Sequence, residues 1–219
     1  MCNFLNTDGV PFGYIVDTPE IRALVERAEQ LMATVASDAE RLEGLRPAFA
    51  ELLAAEDWLP EEYATPDEMS GMGGGIGQYA LYRAEDGSLC LFSLVIPAGA
   101  TTPIHDHLAW GLIGVYRGRQ AEVVYRRVDD GGDEGHAELE IIEELTAATG
   151  DFYALLPPAG DIHEVTTISD GPSVSIHLLT NDTACVWRHS FNRAEQTVTP
   201  FRSGYSNAPC VEDEVAADD

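Results

Sequence analysis

From Gln78 onward the chain breaks into short runs of β-branched, aromatic and aliphatic residues, each closed by a turn signal. That rhythm limits the fold more than any other feature. The runs are Gln78–Arg83, Leu89–Ile96, Gly111–Tyr116, Gln120–Val128, Leu139–Glu144, Phe152–Leu156, Ile162–Ile168, Val174–Thr180 and Ala184–Phe191. Between them stand Asp86-Gly87, Pro97-Ala98-Gly99, Arg117-Gly118, Asp130-Gly131-Gly132 and Asp170-Gly171-Pro172. Many short strands at this spacing predict a mainly β fold, a sandwich or a barrel.

The stretch before it has a different period. Ile21, Leu24, Val25, Ala28, Leu31, Met32 and Val35 recur at helical spacing, and Leu42, Leu45, Phe49, Leu52 and Leu53 form a second stripe, so residues 18–55 read as two helices. Asp17 or Thr18 can cap the first, and Pro19 suits its opening turn. Such amphipathic stripes ordinarily pack on a core. Residues 60–77 are acidic, with Pro60 and Pro66, and end in the cluster Gly71, Gly73, Gly74, Gly75 and Gly77. No Lys follows the glycines and no βαβ pattern surrounds them, so they read as a connector and not a phosphate loop. The expected organisation is a helical segment over 1–70 packed on a barrel over 71–206, then an acidic, disordered tail over 207–219 that is poor in apolar residues.

Composition narrows the partners. The 219 residues carry 38 acidic and 12 basic side chains, a formal charge of −26, and every basic residue is Arg. Such a surface repels phosphate backbones and anionic lipid, so neither nucleic acid nor membrane is expected as a partner. No apolar run reaches the length of a membrane span. The start, MCNFLNTDGV, lacks a basic region followed by a long apolar one, so a signal peptide is not expected. Cys2, Cys90, Cys185 and Cys210 are widely spaced, with no C-x-x-C pair, which reads as neither a disulfide framework nor a zinc knuckle. A reducing, cytoplasmic setting is the resulting expectation.

The chemistry concentrates in histidines. Of His105, His107, His136, His163, His177 and His189, two form His105-Asp106-His107. On a strand, residues i and i+2 share a face, so both imidazoles would project together, as ligands of one metal must. The surroundings add specificity. Gly99, five residues and His105-x-His107, with Gly118 beyond, resemble the first motif of the cupin barrel. Pro158-Ala159-Gly160-Asp161-Ile162-His163 resembles the second. The resemblance implies a cupin double-stranded β-helix barrel behind an N-terminal pair of α-helices, and a metal held by His105, His107 and His163. The cupin motif commonly carries a Glu ligand four residues after its second histidine. Gly111 stands there instead, so the expected set is three imidazoles and no carboxylate. Three neutral ligands leave the full +2 charge on the ion. A substrate bringing a thiolate and a carboxylate would neutralise it, and thiolate suits iron better than magnesium or calcium.

The stretch Thr102-Pro103-Ile104-His105-Asp106-His107-Leu108-Ala109-Trp110-Gly111-Leu112-Ile113-Gly114 resembles the thiol dioxygenases related to cysteine dioxygenase, most of all the bacterial 3-mercaptopropionate dioxygenase branch. Gly160-Asp161-Ile162-His163 and Ser175-Ile176-His177 share the likeness, which spans roughly residues 75–192. It implies Fe(II) as cofactor and oxidation of a small thiol by O2 to a sulfinic acid. His105, His107 and His163 would be the iron ligands, and Ser175 and His177 part of a Ser-His-Tyr relay. Mammalian-type members grip the substrate carboxylate with an early Arg, and the matching place holds Gln78 beside Tyr79. The bacterial branch places an Arg eleven residues past the relay His, the spacing of Arg188 from His177. An Arg can clamp a carboxylate in bidentate fashion. Gly111 also stands where mammalian-type members carry a crosslinking Cys, so no thioether is expected.

Two readings of the remaining residues stay open. Trp110 either lines the pocket or packs in the core. The relay position two residues past His177 carries Leu179, so a hydroxyl would have to come from Tyr79, Tyr82 or Tyr125. Without one, His177 could instead orient the site with no proton-transfer role. The second functional reading is therefore a metal-binding cupin without thiol oxidation: a sensor, or a Zn, Ni or Mn isomerase or hydrolase.

Overall fold

The computed structural model describes residues 4–5 and 11–210. In chain order the elements are β1 (Phe4–Leu5), β2 (Pro11–Tyr14), α1 (Pro19–Thr34), α2 (Asp38–Ala54), β3 (Gly77–Arg83), β4 (Leu89–Ile96), β5 (Ile104–His105), β6 (Gly111–Arg117), β7 (Arg119–Arg127), β8 (Leu139–Ala148), β9 (Phe152–Leu155), β10 (Ile162–Thr167), β11 (Ser173–Thr180), β12 (Arg188–Asn192) and β13 (Thr197–Phe201). The protein is mainly β, with two helices and two antiparallel sheets. One sheet runs β1-β2-β3-β4-β11-β6-β9 and the other β13-β12-β5-β10-β7-β8. The cores of these sheets, β4-β11-β6-β9 and β5-β10-β7-β8, have the strand order of a double-sheet jelly roll, an arrangement consistent with a cupin.

The helices begin where the sequence places them. Thr18 Oγ1 accepts from the Ile21 backbone N–H at 3.3 Å, while Asp17 pairs with Arg22 instead. Ser37 caps α2 in the same way. Their apolar stripes cover the outer face of the first sheet, joining Tyr79, Leu81, Leu91, Val95, Leu112, Ile176 and Leu178 in one buried cluster. The alternate positions, Ile76, Ala80, Phe92, Leu94, Ile113 and Leu179, face the interior in a second cluster. Both faces of β3, β4 and β11 are thus covered. This explains why they read as continuous apolar runs without alternation.

Several expectations need correction. Ala184–Val186 lies in the turn before β12 and is not strand, and β8 continues to Ala148. The N-terminal segment is not only helical, because β2 pairs with β3 through Gly13↔Arg83 and Tyr14↔Tyr82. The tail does not begin at 207. Ser206 and Asn207 dock on the edge of β3: Ser206 N–H donates to Gln78 O at 2.7 Å, and the Asn207 amide bonds both N and O of Ala80. Val211–Asp219 lies outside the described residues. The cysteines are also not all unpaired, since Cys185 and Cys210 form a disulfide across 25 residues. Buried Arg83 reinforces this closure, bonding Asp182 at 2.6 Å and the Pro209 carbonyl at 3.1 Å, while Tyr205 O–H donates to Asp182 at 2.7 Å. The segment 203–210 is therefore a strap laid against the barrel. Among the described residues, no helix is long and apolar enough to cross a membrane.

Candidate metal centre

His105 and His163 sit opposite each other on β5 and β10. His107 follows the end of β5, so its convergence does not come from strand alternation as the spacing suggested. The chain turns at Leu108, which takes a left-handed φ of 53°, and Asp161 stabilises that turn. Its carboxylate accepts the backbone N–H groups of His107 at 3.0 Å and Leu108 at 3.3 Å, and its carbonyl accepts from His107 Nδ1 at 3.1 Å.

The three rings form a nearly equilateral triangle, with centroids 4.9, 4.9 and 4.8 Å apart. All three residues are buried, and their ligand atoms lie within 4.8 Å of one another. Among the described residues they are the one group of three or more His, Cys, Asp or Glu side chains close enough to share an ion.

The hydrogen bonds decide the tautomers. His105 Nδ1 faces the Pro103 carbonyl at 2.8 Å, His107 Nδ1 the Asp161 carbonyl, and His163 Nδ1 the Glu122 carboxylate at 2.5 Å. A carbonyl oxygen can only accept, and the carboxylate does so here, so each Nδ1 carries its proton. Each Nε2 lone pair is then free to bind a cation. Burial, with smaller contributions from Arg188 and the neighbouring imidazoles, holds His105 well below the ordinary imidazole range. Burial also lowers His107, against an opposing pull from Asp161. Neutral imidazoles with outward-locked Nδ1–H groups are what a divalent ion requires, so the residues present fit a bound metal. The donor set suits iron, zinc, nickel or copper better than magnesium or calcium.

Gly111 explains the absence of a fourth, acidic ligand. A Cβ there would lie 2.1 Å from the Leu178 carbonyl oxygen and 2.6 Å from Leu179 Cδ2. Neither a Glu nor a Cys fits without moving β6 away from β11.

A polar row crosses the interior from the triad's own sheet to the facing one. Thr167 donates to the Ile96 carbonyl, and Ser173 donates to Thr167 at 2.6 Å. Gln120 Nε2 donates to Ser173 at 2.9 Å and, more weakly, to Ser175 at 3.5 Å. That order leaves the Ser175 hydroxyl proton for His177 Nε2 at 3.0 Å. The His177 ring stacks on Phe92 at 4.5 Å, and burial holds its pKa well below the usual value.

The other candidate residues divide. Gln78 faces the interior, and its buried Nε2 has no hydrogen-bond partner. Arg188 is buried beside the histidines, over the Phe201 ring at 4.7 Å. Its Nε donates to Thr183 O, Nη1 to Asp106 O at 2.6 Å and Nη2 to Ser203 Oγ at 2.9 Å, leaving one N–H on each terminal nitrogen. Burial brings its pKa down to about 10. Tyr79 and Trp110 are not brought to the site. Both lie in the layer between the first sheet and the helices. The Tyr79 hydroxyl donates to Thr65 O at 2.6 Å, and Arg41 covers the Trp110 ring at 5.8 Å. The hydroxyls of Tyr82 and Tyr125 are likewise taken, by Glu29 and Glu164. A groove of about 880 Å³ lined by Tyr125, Leu139, Phe191 and Arg193 lies on the outer face of the second sheet and includes none of the triad.

Sequence reasoning missed Glu122 and the clamping role of Asp161. Asp161 stood in plain sight two residues before His163. Glu122 had one signal, the polar alternation Gln120-x-Glu122 on a strand whose inward positions should be apolar.

No family model matches the chain. Among solved structures, similarity is found to a cupin superfamily protein from Desulfitobacterium hafniense (13% identity, 49% of this chain and 78% of that one, TM-score 0.35). A protein of unknown function with a cupin-like fold from Ralstonia eutropha is 17% identical over 64% of this chain and 73% of its own, with TM-score 0.42. An oxalate oxidase in complex with glycolate is 14% identical over 53% and 55%, with TM-score 0.39. Likeness at this level carries no argument about activity, and the fold assignment rests on the strand order.

Proposed function

We propose that the chain is a cupin-type iron(II) thiol dioxygenase acting on a small thiol carboxylate, R–SH + O2 → R–SO2H. The observation that carries the reading is the all-imidazole set: three locked Nε2 donors, with Gly111 excluding an acidic fourth. A bound iron ion would supply the redox chemistry and a coordination place for sulfur. The chain's own residues bind and orient the substrate and keep water out. The two remaining Arg188 N–H groups and the unpartnered Gln78 Nε2 are donors suited to a carboxylate. Ser175 and His177 would hold a hydrogen-bond donor toward the reacting end, and Phe92 stacking fixes that ring. We infer that the protein acts on a free small thiol and O2, with no nucleic acid or membrane partner; the Cys185–Cys210 bridge removes the cysteine argument for a reducing cytoplasm.

One observation favours a second reading, a metal-binding cupin without oxidation: Leu179 replaces the relay phenol, and no tyrosine hydroxyl meets His177. The two separate on purified protein. Bound metal is quantified, then oxygen uptake is followed with 3-mercaptopropionate, cysteine and mercaptosuccinate. Iron with thiol-dependent uptake and a sulfinate product is expected. Zinc or nickel, with no uptake for any thiol, would establish the second reading.

A further inference from the structure

Four acidic side chains are buried among the described residues: Asp106, Glu122, Asp161 and Asp182. Asp182 meets Arg83. Asp106 accepts from His189, whose side chain is half exposed, and Asp161 shapes the turn after His107. Glu122 differs from all of these. Its carboxylate meets no Arg, lies 2.5 Å from His163 Nδ1, and is 4% exposed against 1% for the imidazole.

Its placement follows from register. Glu122 pairs across β7 and β10 with Val165, two residues along β10 from His163 and on the same face. A diagonal neighbour of this kind is within reach of a long side chain. Tyr153 comes from β9 in the other sheet and is partly buried, with its phenol near the same carboxylate. Burial, aided by that carboxylate, raises the phenol well above its usual value, so it stays neutral. Among the described residues, the one side chain that hydrogen-bonds the glutamate is thus His163.

We propose that Glu122 is the positioning residue of the third metal ligand: it locks His163 with Nε2 toward the ion and makes it the strongest donor of the three. The inference rests on the metal-site reading above, not on the reaction. His105 leans on a neutral carbonyl, and so does His107, with the Asp161 carboxylate farther off at 3.5 Å. A charge-assisted bond is roughly twice as strong as a neutral one, and a carboxylate that accepts from Nδ1–H gives the ring partial imidazolate character, which raises the basicity of the ligating nitrogen. The site would therefore be asymmetric, with a buried negative charge one imidazole away from the ion.

Cobalt(II) loaded into the full-length protein tests this by chelator competition and by visible ligand-field absorption. Glu122→Gln keeps an acceptor for His163 but removes the charge. Binding about 10-fold weaker with shifted cobalt bands is expected. Glu122→Ala should lose about 100-fold, the upper end for such partners. If Glu122→Ala does not fold, the isosteric Gln variant decides alone. Affinity within twofold of the unsubstituted protein with an unshifted spectrum overturns the proposal. An unsubstituted protein that holds no divalent ion overturns both the site and this inference. One that holds metal yet oxidises no thiol removes the dioxygenase reading only.

Discussion

Ser175 Oγ stands 3.0 Å from His177 Nε2, while His177 Nδ1, equally buried, meets no hydrogen-bond partner among the described residues. The imidazole is thus held at one nitrogen and open at the other. Leu179, the next inward residue on β11, is fully buried and apolar, so it offers the open nitrogen no partner. Ser175→Ala removes the one side chain bonded to the ring. A stability loss of about 1 kcal/mol is expected, with unchanged metal content and a fall in kcat larger than any change in KM. Loss of metal would instead place the pair in the binding site proper. Denaturant melts, metal analysis and oxygen uptake on one preparation read all three.

The Gly111 argument makes a sharper stability prediction. Gly111→Ala puts a methyl group into the Leu178 backbone, which β6 and β11 can relieve only by separating. Overpacking of this kind costs about 1–3 kcal/mol. Gly171→Ala is the control: its added Cβ meets nothing within 4 Å and its φ is not left-handed. It should stay within about 0.5 kcal/mol. Equal melting temperatures for the two variants would contradict the close approach at Gly111.

How much of this was legible beforehand depends on the range of the interaction. The helices and most strands were visible because their periods and turn residues are local. His105, His107 and His163 were visible because two short motifs bracket them. Strand β5 and the means by which His107 converges were not, because the bend at Leu108 is imposed by Asp161, more than fifty residues away. Tyr79 and Gln78 show the same limit. On a strand covered on both faces, hydrophobicity does not say which side chain turns toward the helices and which toward the interior. The Cys185–Cys210 pairing depends on the strap returning to β3, which no local pattern announces.

That disulfide closes a loop of 25 residues. Chain-entropy arguments assign such a loop about 3.5 kcal/mol, an upper figure for many real bridges. Reduction, or Cys210→Ser, should lower the unfolding free energy by about 2–4 kcal/mol. Because the strap contacts Gln78 and Arg188 through Ser206 and Ser203, the reduced protein should also show a raised KM with metal content unchanged. Melting curves with and without dithiothreitol, removed before metal analysis, are sufficient. Identical curves would show that the strap is held by its hydrogen bonds alone.

Arg188 is already committed to Thr183, Asp106 and Ser203, so truncating it would orphan buried acceptors and confuse binding with folding. Arg188→Lys keeps the charge but loses the planar fork that accepts two oxygens at once. The KM for 3-mercaptopropionate should rise at least about tenfold, the cost of one charge-assisted bond, while cysteamine, which has no carboxylate, is affected far less. Parallel changes for the two thiols would remove the carboxylate role.

Metal should also be visible in stability. An ion that binds only the folded state adds RT ln(1 + [L]/Kd), about 2.7 kcal/mol at a hundredfold excess over Kd. In a chain of this length each kcal/mol moves the midpoint by about 2–4 °C. Anaerobic addition of ferrous iron to metal-free protein should therefore raise Tm by about 5–11 °C at that excess, the product of those two figures. His163→Ala should abolish the shift, because two imidazoles cannot retain the ion and Glu122 loses its donor at the same time. A comparable shift in His163→Ala would mean that the ion is held elsewhere and that the triangle of rings is not its site.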